Sequence, residues 1–269
     1  MIKELESTAE RVVPGKSDHI IFQEHTCRYI FASNYTKGKK VLDNACGTGY
    51  GAHYLLKSGG AKEVVGVDIS EDAVCYAKNG YEGENISFVC ADALNLPFLN
   101  EYFDVIVSFE TIEHLQNHHR FLSECQRVLK KDGLLVCSTP NKKIYSPYSE
   151  KPLNPFHFRE FYPEEFYELL SKYFTIIDLY GQNNVNLFKR MIFRIGTKTF
   201  SAVPYGNVFK KIIKNIISSN TNISANKKEN LKDGGMAEVI NINYTVSVFK
   251  NNLLTAPTYI IAVAQKKER

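Results

Sequence analysis

Val41-Leu42-Asp43-Asn44-Ala45-Cys46-Gly47-Thr48-Gly49-Tyr50-Gly51 is the stretch that decides the fold. It starts apolar, closes on an acid, runs into a glycine-rich turn and opens a helix across Tyr50 to Lys57. Gly47 and Gly49 have no Cβ, so the backbone there can come close to a ligand. The following helix turns its free N–H groups to the same spot. Strand, turn and helix in that order predict one unit of a parallel sheet, with Asp43 at the strand end.

The same pattern recurs downstream. Glu63 to Ile69 reads as a second strand ending in Asp68. Ser70 caps the next helix, and Glu71 and Asp72 suit its positive first turn. Ile86–Cys90 is a third strand, followed by Asp92, and Phe103–Phe109 a fourth, followed by Glu110. The helix across Asn117–Lys130 puts Phe121, Leu122, Cys125, Val128 and Leu129 on one face. Asp132-Gly133 turns the chain into a fifth strand, Leu134 to Ser138. A Pro- and Tyr-rich loop, Thr139–Phe161, leads to a helix from Pro163. Phe174–Tyr180 and Thr258–Ala264 are the sixth and seventh strands, and a helix over Asp18–Ala32 precedes the first. Apolar strands alternating with helices predict an α/β fold: a doubly wound, seven-stranded, mostly parallel sheet with a helical insert before the last strand. Such sheets bind ligands at the C-terminal ends of their strands. Asp43, Asp68, Asp92 and Glu110 all fall there.

The totals fit that reading. The 269 residues are 44% hydrophobic and 23% charged, ordinary for a globular protein that buries its own core. A net charge of +4 does not by itself imply a nucleic acid. The six cysteines, Cys27, Cys46, Cys75, Cys90, Cys125 and Cys137, form no CxxC pair. They read as small buried hydrophobes in a reducing compartment. The opening MIKELESTAERVV lacks an apolar signal-peptide core, and no apolar run reaches the ~18–20 residues of a membrane span. A cytoplasmic location is the expectation.

Gly47-Thr48-Gly49-Tyr50-Gly51-Ala52 also fits GxGxxA, which nucleotide cofactors of different classes share. The acids separate them. A diphosphate at the turn would be repelled by Asp43, whereas a sulfonium and an amino group would be attracted. Asp68 suits a ribose diol in either class. Asp92 can accept from an adenine amine. The set favours S-adenosylmethionine over NAD.

With those motifs in order, the chain from about Lys39 to Tyr180 resembles a class I S-adenosylmethionine-dependent methyltransferase. VLDNACGTGYG is similar to the family's first motif, VVGVDIS to its acidic second strand and CADALNLPF to its adenine-side motif. FDVIVSFETIEHL resembles the fourth-strand motif, and RVLKKDGLLVCSTPN the helix and strand after it. Within the family the likeness is to small-molecule enzymes, including quinone-ring and sugar O-methyltransferases. ERVVPG, EHTCRYIFAS and NPFHFREFYPEEF resemble glycan-pathway members. The resemblance implies a Rossmann-like cofactor-binding core at 37–183. Around it stand an N-terminal helical segment at 1–36, an insert or lid at 184–257 and the last core strand at 258–269. It implies that Ala45, Cys46, Gly47 and Gly49 surround the cofactor's methionine end, with Asp43 near its amino group. Asp68 takes the ribose hydroxyls, Ile69 packs on the adenine, Asp92 accepts from its amine with Ala93 alongside, and Glu110 and Thr111 floor the sulfonium.

A hydroxyl acceptor gains from a base near neutral pKa. His114, after the fourth strand, and His157, in the aromatic loop, are the candidates. Each can equally be a structural histidine bonding backbone. Glu113 reads as a solvated or capping residue. No metal site is expected: His118 and His119 stand side by side at a helix start without further ligands nearby. Arg11, Glu24, His25 and Arg28 form a charged set, read either as cofactor-closing groups or as a surface network. Tyr145, Tyr148, Phe156, Phe158 and Arg159 suit a sugar ring or an anionic headgroup. The acceptor is expected to be a small molecule or saccharide. A nucleic acid is disfavoured for want of an added basic domain. Lys189, Arg190, Arg194, Lys198, Lys210, Lys211 and Lys214 interleave with apolar residues, which suits a lid, a peripheral membrane contact or self-association. The cofactor motifs also leave room for a protein that binds without turnover.

Overall fold

The computed structural model describes residues 11–184, 244–248 and 256–267. The chain divides into two compact units, residues 1–183 with 244–269 and residues 184–243. The described residues belong, apart from Asn184, to the first. The basic-apolar segments expected as an insert lie outside the described residues.

The first unit opens on α1 (His19–Thr36), then β1 (Lys40–Asn44), α2 (Tyr50–Lys57), β2 (Glu63–Asp68), α3 (Glu71–Tyr81), β3 (Ile86–Cys90) and β4 (Phe103–Phe109). A 3-10 turn at Ile112–His114 leads to α4 (His118–Val128), β5 (Leu129–Pro140), the short α5 (Lys142–Tyr145), α6 (Pro163–Ser171) and β6 (Phe174–Asn184). β7 (Tyr244–Val248) and β8 (Tyr259–Lys266) complete it. The seven expected strands are β1 to β6 and β8. β7, inside the span read as an insert, adds an eighth, and the order is β3-β2-β1-β4-β5-β8-β6-β7.

β1 pairs in parallel with β2 on one side and β4 on the other, and β3 and β5 extend the parallel run outward. β8 is antiparallel to both β5 and β6. Strand order reverses between β1 and β4, so the chain leaves β1 and β4 toward opposite sides and a crevice opens beyond their C-terminal ends. Asp43 and Glu110 stand at that crevice.

One face of the sheet is covered by α4 and α6. Leu42, Val65, Val67, Ile106, Leu135, Ile260 and Ala262 meet Phe121, Leu122, Val128, Phe166 and Leu170 there. Each large side chain so buried contributes about 1.5–3 kcal/mol. Near α1, Phe22, Tyr29, Tyr50 and Phe109 pack ring against ring at centroid separations of 5.2–5.7 Å. Ser70 caps α3 as its sequence predicts, its Oγ accepting from Ala73 N.

The fifth strand and the cysteines also differ from expectation. β5 begins at Leu129, ahead of the expected Leu134. Asp132 adopts φ 60°, and the β4–β5 register shifts between Phe103 and Val105, so the turn is absorbed as an irregularity inside the strand. Cys75 and Cys90 are exposed, whereas Cys46, Cys125 and Cys137 are buried and Cys27 is half-buried. Cys75 lies on the outer side of α3 and Cys90 ends the edge strand β3. No described helix is long and apolar enough to cross a membrane.

Candidate active site

The glycine turn is a strained loop held from the side by β2. Ala45, Gly47 and Gly49 have φ of 68°, 54° and 81°. Cys46 N donates to Val67 O at 2.8 Å. Asp68 clamps the turn to the start of α3: its Oδ2 accepts from Gly47 N at 2.8 Å and its Oδ1 from Ser70 N at 2.9 Å. The glycines then separate by role. A Cβ on Gly47 would meet nothing within 4 Å, so its backbone borders open space. A Cβ on Gly49 would lie 2.6 Å from Ala77 Cβ and 2.8 Å from the Phe88 ring, so close packing alone requires glycine there. Gly51 gives way to the Tyr29 ring, which would come within 1.9 Å of an added Cβ.

Asp43 is buried behind this turn, with Tyr29 Oη donating at 3.2 Å to each carboxylate oxygen. Burial pushes the carboxyl up to about 7; the Tyr29 bond opposes this and the Asp68 charge adds to it. Tyr29 was not among the expected site residues. Its sequence signal, a tyrosine on a helix, is the same as that of an ordinary core aromatic. Ile69 lies just beyond β2 with 71% of its surface exposed. Ala91 N donates to Asp68 O at 3.0 Å and ties the ends of β2 and β3 together. The exposed Asp92 follows, accepting at Oδ1 from Leu94 N at 2.8 Å, and the half-buried Ala93 packs on the core. Asp43, Ala45, Cys46, Gly47, Asp68, Ile69 and Asp92 thus meet at the C-terminal ends of three adjacent strands.

Across the crevice, Glu110 adopts φ 51°, and its Oε1 accepts from Ser138 Oγ at 2.6 Å. Thr111 is buried and returns its hydroxyl to Phe109 O at 3.1 Å. Arg11 donates to Ser70 Oγ at 2.8 Å. The rest of the charged set is no surface network: Glu24 and Arg28 are buried between α1 and the sheet. Arg28 donates Nη1 to Gln182 Oε1 at 2.8 Å and lies 4.6 Å above the Tyr259 ring. Tyr259 Oη donates to Glu24 Oε2 at 2.9 Å. Burial, with the Arg28 charge, lowers the pKa of His25 well below the ordinary range and keeps the ring neutral.

Beyond β4, the fold unites residues that the sequence keeps apart. Glu113 is fully buried, contrary to its reading as solvated. Its Oε2 accepts from Thr139 Oγ1 at 3.1 Å, and its Oε1 has no hydrogen-bond partner. Burial raises its pKa well above the carboxylate range, and the Glu110 charge adds to this. Phe158 N donates to Glu113 O at 2.8 Å, fastening the aromatic loop to the 3-10 turn. His114 sets Nδ1 3.0 Å from Phe156 O and Nε2 4.0 Å from Glu113 Oε1. The His157 ring meets the His114 ring edge-on at 4.8 Å. Its Nδ1 lies 2.9 Å from Glu160 Oε1 and its Nε2 2.9 Å from Asn154 Nδ2. A carboxylate partner makes Nδ1 the donor, so Nε2 accepts from the amide. Ser146 Oγ donates to the other Glu160 oxygen. His118 and His119 stand apart from this group: His119 Nδ1 lies 2.9 Å from Tyr173 Oη, and His118 packs on Phe161.

The residues fit an adenosyl cofactor. Gly47 borders space that a side chain would fill, a bare isoleucine stands at the rim, and a buried carboxylate lies behind the turn. Known proteins agree. Residues 42–137 match the family model described as a methyltransferase domain. A Mycolicibacterium smegmatis protein named "Probable S-adenosylmethionine-dependent methyltransferase" is 37% identical over 165 residues, covering 61% of this chain and 63% of that one. The ubiquinone biosynthesis O-methyltransferase of Coxiella burnetii is 37% identical over 119 residues, 44% of this chain and 50% of that protein. The solved S-adenosylmethionine-dependent methyltransferase of Thermotoga maritima superposes with a TM-score of 0.56 at 17% identity, covering 92% of each chain, a likeness of fold. The matches thus span 63% and 50% of the two curated relatives' lengths. Residues 42–137 thus match a methyltransferase domain, and the chain shares the fold of a solved S-adenosylmethionine-dependent methyltransferase.

Proposed function

We propose that the protein methylates a hydroxyl of a small ring-bearing acceptor, a sugar or glycan precursor, using S-adenosylmethionine. The observation that carries this is the carboxylate rim about Gly47: Asp43 and Asp68 flank a backbone that borders open space. Such a rim attracts a cation and repels a diphosphate. Asp43 and Tyr29 would hold the amino group, Asp68 the ribose diol, Ile69 and Asp92 the adenine, and Glu110 and Thr111 the floor beneath the methyl. When bound, the cofactor supplies an activated methyl with a neutral leaving group, so positioning provides much of the rate.

The chain's own part is to seat the acceptor and take its proton. His114 and His157 stand where the aromatic loop meets the end of β4. His114 is the more accessible, with 25% of its side chain exposed against 5% for His157. We assign the proton-accepting role to His114, with His157 holding its ring edge-on. Phe156 and Phe158 are more than half exposed on either side of His157 and offer faces for a ring. A quinone-type ring is the second reading, favoured by the Coxiella burnetii relative's name.

Transfer of labelled methyl from S-adenosylmethionine to nucleotide sugars, glycolipids and hydroxylated quinone precursors tests the choice. Label in the saccharides supports the first reading, and label confined to the quinone precursors replaces it with the second.

A further inference from the structure

We propose that Glu113, His114 and His157 form a binding site for a divalent transition-metal cation at the acceptor side of the crevice. One ligating atom of each lies within 4.8 Å of those of the other two. No ion is present there. The inference rests on the acceptor reading above only for what the cation would do, not for whether it binds.

Three observations make this more than a chance meeting of titratable groups. The first is the orphaned oxygen. Glu113 is wholly buried, and its Oε1 has no partner while Oε2 is satisfied by Thr139. A buried carboxylate oxygen left unpaired is costly, and a cation facing it would remove that cost. The second is the aim of the rings. His114 turns Nδ1 to the Phe156 carbonyl and sets Nε2 4.0 Å from the orphaned oxygen. His157 gives its Nδ1 proton to Glu160, which is itself held by Ser146. A ring nitrogen bonded to a backbone carbonyl or a carboxylate is how proteins orient a metal-ligating histidine and raise its basicity. The third is the assembly. Glu113 and His114 come from the 3-10 turn and His157 from the distant aromatic loop, and the Phe158 N–H to Glu113 O bond at 2.8 Å joins the two. Asn154, 2.9 Å from His157 Nε2, would have to turn away for that nitrogen to ligate.

Two imidazoles and one carboxylate suit Mn²⁺, Fe²⁺, Co²⁺ or Zn²⁺ over Mg²⁺ and Ca²⁺, which favour all-oxygen sets. Three protein ligands leave positions open. In the cation-bound protein His114 would be a ligand in place of a base: the cation would hold an acceptor hydroxyl by its oxygen and lower its pKa, letting the proton pass to solvent before methyl transfer.

Chelator-treated, tag-free protein titrated with Co²⁺ and followed by visible absorption tests the site, with S-adenosylmethionine calorimetry on the same samples as a separate reading of the cofactor site. The expected result is one equivalent of Co²⁺ held at micromolar affinity and not displaced by a hundredfold excess of Mg²⁺. Binding should weaken at least tenfold in Glu113→Gln and in His114→Asn, with cofactor affinity kept within threefold. Should Glu113→Gln not fold, His114→Asn alone decides. Absence of Co²⁺ binding, or binding unchanged in the variants, overturns the site while leaving the cofactor reading intact. Loss of cofactor binding in the unsubstituted protein would instead sink the proposed function without touching the cation result.

Discussion

Asp43 carries the most information of any single residue, because its environment works against its charge. Burial raises its carboxyl from 3.8 to about 7. A carboxyl with a raised folded pKa stabilises the fold while protonated; that stability is complete below about pH 4 and is lost as the pH rises to about 7. A cationic ligand reverses the preference by favouring the ionised form. Cofactor affinity should therefore rise about tenfold per pH unit up to about pH 7 and level off above it. Calorimetry between pH 5.5 and 8.5 reads this directly, and a flat profile would remove Asp43 from the cofactor's cationic end. Tyr29→Phe takes away the bond that opposes the shift, so the break in the profile should move to higher pH. Asp68 is a different case, since both its oxygens already bind backbone N–H groups. Asp68→Ala should lower the melting temperature and also weaken cofactor binding at least tenfold, from hydrogen bonds to a charged group worth ~1.5–3 kcal/mol each. Melting that falls while affinity holds would make Asp68 a clamp for the turn and nothing more.

At the scale of elements, the β1–α2 turn divides its glycines between ligand and packing. Gly49→Ala would force a Cβ against Ala77 and Phe88 at φ 81°. Overpacking and left-handed strain together cost about 2–5 kcal/mol, or roughly 5–15 °C in melting temperature. Gly47→Ala meets no neighbour, so it should lose only about 1–2 kcal/mol of stability. Its methyl would fill space facing the ligand, and cofactor affinity should drop at least tenfold. Equal melting temperatures for the two variants would contradict the division. The turn itself was legible in the sequence because apolar runs, glycines and strand-end acids are local signals. β3 and β4 have the bounds their residues predict, and β1 extends one residue beyond its expected limits at each end. Which glycine serves which purpose is not legible, since it depends on Phe88 arriving from β3 and Ala77 from α3. For the same reason the Tyr29–Asp43 pair and the Glu113–His114–His157 group are hidden: each depends on how separate elements pack, α1 on β1 and the aromatic loop on the 3-10 turn. The early start of β5 is not legible because Asp132-Gly133 has turn chemistry, and only pairing with β4 shows the strand running through it.

At the scale of the whole molecule, one feature of topology places the site. Strand order reverses at β1 and β4, and the carboxylates of β1 and β2, the Glu110 corner and the histidine pair all collect where the sheet divides. The mixed edge, with β8 antiparallel between β5 and β6, supplies Tyr259 to the buried Glu24–Arg28 network behind that crevice. Alternating strands and helices announced the parallel part. β7 does alternate apolar and polar residues, Tyr244-Thr245-Val246-Ser247-Val248, but five residues are short for a strand signal and they fall inside the span read as an insert. A crevice so placed should take a cationic adenosyl cofactor and no dinucleotide. Titration calorimetry of the full chain at pH 7.5 with S-adenosylmethionine and, separately, with NAD tests it. The prediction is one S-adenosylmethionine bound per chain and no heat from NAD; binding of NAD, or silence with S-adenosylmethionine, would contradict it.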